Sequence, residues 1–191
     1  MLTEHAKRII QVLWLSSVII TLGTNAAQPA AVFQAYQHTS AHPTLTHATT
    51  QAWGALGMQF DTGGERAFVF DPRNYTWAAY DKDGYRVAGG IANGGADYCH
   101  DVKRPCRTPT GIFRIYHKKS SDCVSSKYPL NNPGAPMPYC MFFNDGVAIH
   151  GSYTMQRSNS SHGCIRVQTK AAQWLHQYFI RYGTKVIVLD Y

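Results

Sequence analysis

Cys164 lies between a glycine and the run Ile165-Arg166-Val167, and two histidines followed by glycine, His150 and His162, precede it within a short span. A thiol is a weak nucleophile until a base takes its proton. An imidazole within hydrogen-bond reach supplies that base, and the resulting ion pair is expected to pull the thiol from about 8.5 down by several units. These residue types therefore predict cysteine acyl transfer. Cys164 is the expected nucleophile and His150 the expected proton acceptor and donor, with His162 as the competing base. Gly163 removes side-chain bulk next to the thiol and permits a strained turn. Backbone N–H groups of Gly163 and Cys164 are then the expected oxyanion donors. Ser161 and His162 are expected to shape that turn. Arg166 suits a bidentate pair with a substrate carboxylate, or alternatively a structural ion pair. A rival reading uses His150, His162 and Cys164 as zinc ligands, but their spacing matches no common zinc motif. No metal or organic cofactor is expected.

The elements that must hold these residues read mostly as strands. Residues 67–70, 75–80, 85–88, 112–116, 139–143 and 147–150 are short, apolar or aromatic, and separated by turn residues. Asp81-Lys82-Asp83-Gly84 and Asn144-Asp145-Gly146 are turn signals, and the second puts His150 at a strand end. Gly89-Gly90 and Gly94-Gly95 are read as bends or bulges, and Thr108-Pro109-Thr110-Gly111 as a structural turn. After Cys164, Thr169 is the expected helix cap. Ala171, Trp174, Leu175, Tyr178 and Phe179 follow helical spacing on one apolar face, and Gly183 suits the helix end. Lys185-Val186-Ile187-Val188-Leu189 reads as a closing strand. The expectation is a mostly antiparallel β-domain with one clear helix near the C-terminus.

A length of 191 residues suits one domain with a sizeable core. The formal net charge is +7, yet no Lys/Arg cluster or recognition motif accompanies it, so nucleic acid is not an expected partner. Lys7 and Arg8 precede an apolar run at 9–22, followed by Thr24-Asn25-Ala26, which reads as an export signal over 1–26 with an uncleaved anchor as the alternative. The run is short for a membrane span, so no stable membrane insertion is expected after cleavage. Residues 27–65 read as an arm or linker whose His38, His42 and His47 are solvated, and 66–191 as the catalytic domain. Five cysteines in an exported chain suggest two disulfides and one free thiol. Sequence alone leaves the pairing open. With Cys164 free, the favoured bridges are Cys99–Cys106 and Cys123–Cys140, which close local loops and each stabilise by about 2–4 kcal/mol.

Ile149-His150-Gly151 with Ser161-His162-Gly163-Cys164-Ile165-Arg166 resembles the signature of the L,D-transpeptidase (YkuD-like) catalytic domain. Thr108-Pro109-Thr110-Gly111-Ile112-Phe113 and Met137-Pro138-Tyr139 with Phe143 and Gly146 extend the likeness upstream. One departure stands out: only residues 152–160 separate His150-Gly151 from Ser161, where the family usually carries a longer insert. The resemblance implies a β-sandwich-like catalytic fold in the periplasm or cell envelope. It implies that Cys164 attacks a tetrapeptide stem of peptidoglycan and releases D-Ala. An amine of a second stem, or a lysine of a cell-wall lipoprotein, then takes the acyl group. A carbonyl near Gly151 would fix the His150 tautomer, and Tyr139 and Tyr153 are groove candidates. With water as acceptor, the same Cys/His pair would make an L,D-carboxypeptidase or cell-wall hydrolase. A wall-binding module without catalysis is a further alternative. A diffuse positive surface suits an anionic wall polymer.

Overall fold

The apolar run Ala67-Phe68-Val69-Phe70 and its neighbour Thr76-Trp77-Ala78-Ala79-Tyr80 are buried on both faces, which places them in the middle of a sheet rather than at its edge. The computed structural model describes residues 56–191. The signal segment at 1–26 and most of the arm, including His38, His42 and His47, lie outside the described residues.

The strands are β1 (Ala67–Asp71), β2 (Thr76–Tyr80), β3 (Arg86–Asn93), β4 (Gly111–Arg114), β5 (His117–Lys118), β6 (Met141–Asn144), β7 (Val147–Ser152), β8 (Ile165–Gln168) and β9 (Lys185–Val188). Helix α1 (Thr169–Trp174) follows β8 and continues as a wider π-helical turn over Leu175–Phe179. The sheet order is β4-β9-β1-β2-β3-β8-β7-β6-β5. Pairing is antiparallel except for β1 with β9 and β7 with β8. The sheet curls until its far strands meet. Phe113 of β4 packs on Phe143 of β6 with ring centroids 5.4 Å apart, and the Tyr116 N–H donates to the Phe142 carbonyl at 3.0 Å. Phe68, Phe70, Trp77, Ile149, Ile165, Val167 and Leu175 fill the interior. Each such side chain contributes about 1.5–3 kcal/mol by leaving water. Leu56, Val69 and Tyr80 form a smaller cluster on the other face of β1 and β2.

The mostly β architecture with one α-helix near the C-terminus agrees with the sequence. Four details differ. Thr169 is the first helical residue and not the cap; its Oγ1 is buried without a partner, and the cap position, Gln168, makes no side-chain bond. Tyr178 is exposed, because the Ile180 N–H reaches back five residues to the Leu175 carbonyl and this wider winding rotates the helical face. Gly89 and Gly90 run straight through β3, where Gly90 sits opposite Trp77; the register shift falls instead between Ala79 and Tyr80. A Cβ at Gly90 would come within 3.1 Å of Trp77 Nε1. Finally, β5 and β8 are strands that periodicity did not reveal.

Candidate active site

Parallel pairing of β7 with β8 sets His150 opposite Arg166 and Ile149 opposite Ile165. Side chains alternate along each strand, so Ile149, Ile165 and Val167 face the core while Ala148, His150, Cys164 and Arg166 share the other face. Thiol, imidazole and guanidinium thus come to one surface by register alone.

His150 is buried, and its Nδ1 lies 2.8 Å from the Gly151 carbonyl. A carbonyl can only accept, so Nδ1 carries the proton and Nε2 presents its lone pair. Gly151 makes this possible by close backbone approach. Its N–H donates to the Pro138 carbonyl at 2.8 Å, and a Cβ there would fall 3.0 Å from Thr169 Cα and 3.1 Å from Pro138 Cγ. Burial pushes the imidazole down to about 4; the Arg166 charge adds to this and the Gly151 carbonyl opposes it.

Cys164 is half-buried and free, while Cys99 bonds to Cys106 and Cys123 to Cys140. The Ala148 N–H donates to its Sγ at 3.5 Å. Burial pushes the thiol up from its ordinary value, against the opposing influence of that N–H and of Arg166. Burial works against the charged form of both side chains, so desolvation does not favour the expected thiolate–imidazolium pair.

The turn before Cys164 is held by hydroxyls. Ser161 Oγ donates to the Cys164 carbonyl at 2.6 Å and accepts the Gly163 N–H at 3.0 Å. Thr108 Oγ1 donates to the Gly163 carbonyl at 2.8 Å. Gly163 has φ +127°, a conformation that side chains disfavour. Since the Gly163 N–H is engaged by Ser161, the oxyanion donor expected there is reduced to the Cys164 N–H.

His162 turns the other way. Its Nε2 lies 2.7 Å from Asp101 Oδ2 and its ring stacks on Tyr128 at 4.0 Å. That hydrogen bond is the main reason the Asp101 carboxyl is held below its usual range. Among the described residues, the donors gathered at metal-ligating distance are Cys99, Asp101 and His162, not the set His150, His162 and Cys164, and Cys99 is already in a disulfide.

Arg166 is half-buried, and burial lowers its pKa. Among the described residues it has no carboxylate partner, so it is not a structural ion pair. Tyr139 packs against the core beside His176, whereas Tyr153 is exposed. Tyr153 lines an open cleft of about 410 Å³ with Ser152, Met155, Gln168, Thr169 and Lys170. Ser152 and Gln168 are register partners one alternation beyond His150 and Arg166, so the cleft continues the same face. Sequence reasoning did not identify Asp101, Tyr128 or Tyr191. It placed Thr108 in a turn and in the family-like Thr-Pro-Thr-Gly block, but gave its hydroxyl no role.

A free thiol at the turn entering β8 and a buried, singly hydrogen-bonded imidazole on the neighbouring β7 make an arrangement suited to cysteine acyl transfer. The family model of the L,D-transpeptidase catalytic domain (YkuD) matches residues 64–188, and the chain belongs to that family. Solved structures agree in fold. An L,D-transpeptidase from Xylanimonas cellulosilytica is 24% identical, with 69% of this chain and 63% of that one covered and a TM-score of 0.59. One from Stackebrandtia nassauensis is 20% identical over 75% and 64%, with a TM-score of 0.59. One from Mycobacterium smegmatis is 23% identical over 66% and 59%, with a TM-score of 0.54. The chain thus spans less than two thirds of the length of these structures. No curated protein matches it.

Proposed function

We propose that this protein is a cysteine-dependent L,D-transpeptidase acting on peptidoglycan stem peptides. The observation that carries the reading is the free Cys164 thiol sharing one strand face with a His150 whose Nε2 lone pair is the base. Cys164 Sγ attacks the carbonyl of residue 3 in a donor tetrapeptide as its proton passes to His150 Nε2. The Cys164 N–H receives the developing oxyanion. The intermediate collapses to a thioester, the bond to D-Ala breaks, and His150 returns the proton to the leaving amine. An acceptor amine then attacks the thioester, His150 takes its proton, and the thiol is regenerated. The product is a 3→3 cross-link when the amine belongs to a second stem, or a wall-attached protein when it is a lipoprotein lysine.

Arg166, which has no carboxylate partner among the described residues, pairs with a stem carboxylate. Work in an exported compartment fits the two disulfides, which persist under oxidising conditions.

Incubation of the protein with a disaccharide-tetrapeptide, followed by mass spectrometry of protein and muropeptide, tests this. The expected result is a thioester on Cys164, absent in Cys164→Ala, with cross-linked dimer as product. The same adduct with tripeptide alone would make water the acceptor and the protein an L,D-carboxypeptidase or wall hydrolase. No adduct and no D-Ala release would reject stem peptides as donors.

A further inference from the structure

The geometry assigns Thr108 and Tyr191 to positioning the nucleophile, an inference that rests on Cys164 being the acylated residue. Thr108 is fully buried, and its hydroxyl has one hydrogen. The Gly163 carbonyl can only accept, so that hydrogen points to Gly163 at 2.8 Å, and the hydroxyl lone pair takes the Gly95 N–H at 3.0 Å. The Thr108 N–H donates to the Tyr191 hydroxyl at 2.9 Å, and that hydroxyl donates to the Gly95 carbonyl at 3.1 Å. Thr108, Gly95 and Tyr191 form a closed ring in which every donor has one acceptor. The ring leans on the nucleophile turn at one atom, the Gly163 oxygen.

There is no slack around it. A Cβ at Gly95 would fall 1.7 Å from the Cys106 carbonyl oxygen and 2.9 Å from Gly163 Cα. One at Gly94 would fall 2.7 Å from both Thr108 Oγ1 and the Tyr191 hydroxyl. The chain leaving β3 runs directly under the turn, and the Ser161 N–H donates to the Gly94 carbonyl at 3.0 Å.

Holding the Gly163 oxygen matters because a trans peptide is planar, with C=O and N–H on opposite sides. Fixing the oxygen toward Thr108 aims the Cys164 N–H away from Thr108. The residue on the other side of that oxygen, Gly163, has φ +127° and lacks the Cβ that would resist rotation of this peptide. Ser161 holds the peptide groups before and after it. Thr108 holds the one between, which carries the oxyanion donor. Tyr191 acts one step further out, by fixing Thr108 and Gly95.

The test compares Thr108→Val, which keeps the shape and removes the hydroxyl, with Thr108→Ser and Tyr191→Phe. Two reactions of Cys164 separate aim from reactivity. Acylation by the small activated ester p-nitrophenyl acetate uses the oxyanion donor and needs no stem recognition; alkylation by iodoacetamide uses neither. Thr108→Val is expected to slow acylation about 10–100-fold, with alkylation within about 2-fold of wild type. Thr108→Ser is expected to restore most of the rate, and Tyr191→Phe to lose severalfold. Acylation unchanged in Thr108→Val, or acylation and alkylation falling together with the melting temperature, would overturn the proposal. If Thr108→Val does not fold, Tyr191→Phe decides: unchanged acylation overturns it. A wild type that reacts with the ester but not with a tetrapeptide would instead refute the stem-peptide reading and leave this one standing.

Discussion

His150 and Cys164 share one surface but are held by different means. His150 stands on a six-residue strand whose neighbour Ile149 is fully buried, and its ring is fixed by the next carbonyl in its own strand. Apolar packing and backbone register aim it. Cys164 ends a turn that begins at Ser161 and contains a glycine at positive φ, and hydroxyls from Ser161 and Thr108 aim it. The proposed base inherits its position from the core, whereas the proposed nucleophile depends on a polar network. Damage to stability and damage to activity should therefore separate between the two.

The largest effect tests that separation. Ile149→Ala, on the core side of the base, is expected to destabilise by about 2–5 kcal/mol through the cavity it leaves. Ser161→Ala removes one oxygen, leaves the Gly163 N–H and one acceptor on the Cys164 carbonyl unpaired, and is expected to destabilise by about 1–3 kcal/mol. The order of acylation rates per folded molecule should be the reverse, with Ser161→Ala slower. Denaturant unfolding with acylation measured on the folded fraction checks both, and a Ser161→Ala protein as active as wild type would break the comparison.

The disulfides sharpen it at a smaller scale. Cys123–Cys140 closes a separation of 17 residues and Cys99–Cys106 one of 7. Loop-closure entropy gives about 3 kcal/mol for the longer and about 2 kcal/mol for the shorter. The shorter one lies by the nucleophile turn: Cys99 Sγ is 3.8 Å from the Ser161 carbonyl, and the Cys106 carbonyl presses on Gly95. Removing Cys123–Cys140 by paired alanines is expected to lower stability more, and removing Cys99–Cys106 to lower acylation more. Equal losses of activity would show that the shorter bridge has no special tie to the turn.

What was legible follows the same divide. β7 was readable because a strand of buried residues follows a turn in which Asp145 and Gly146 both take positive φ. Cys164 and His150 stood out because cysteine acyl transfer, the proposed chemistry, demands those residue types. β8 was not, since four residues alternate too briefly to announce a strand, and only pairing with β7 across the intervening loop makes them one. Thr108 was opaque for a longer-range reason: its partner Gly163 is 55 positions away, and the Thr-Pro-Thr-Gly block marks a turn without showing what the buried hydroxyl supports. Tyr178 was misplaced because helical periodicity assumes an α winding that the last turn abandons.

The smallest expected effect is the most discriminating for the base. As the proposed base, His150 can work only when neutral, and burial holds its imidazole at about 4 instead of 6.5. A depressed value means that the neutral form survives to lower pH. Between pH 7 and pH 5 the acylation rate should therefore fall by only about a tenth on this account, whereas a base titrating at about 6.5 would lose roughly 25-fold. The acid limb should appear near the value set by burial. Stability carries the same sign: the unfolded chain takes up a proton on His150 as pH falls through about 6.5 while the fold resists until about 4, so this residue's contribution is lost across that interval. A pH profile of p-nitrophenyl acetate acylation, limited to pH values where the protein remains folded, reads the limb directly. A limb near 6.5 would mean that the working base is solvated, which the buried imidazole on β7 is not, and would remove the core-aimed half of the comparison.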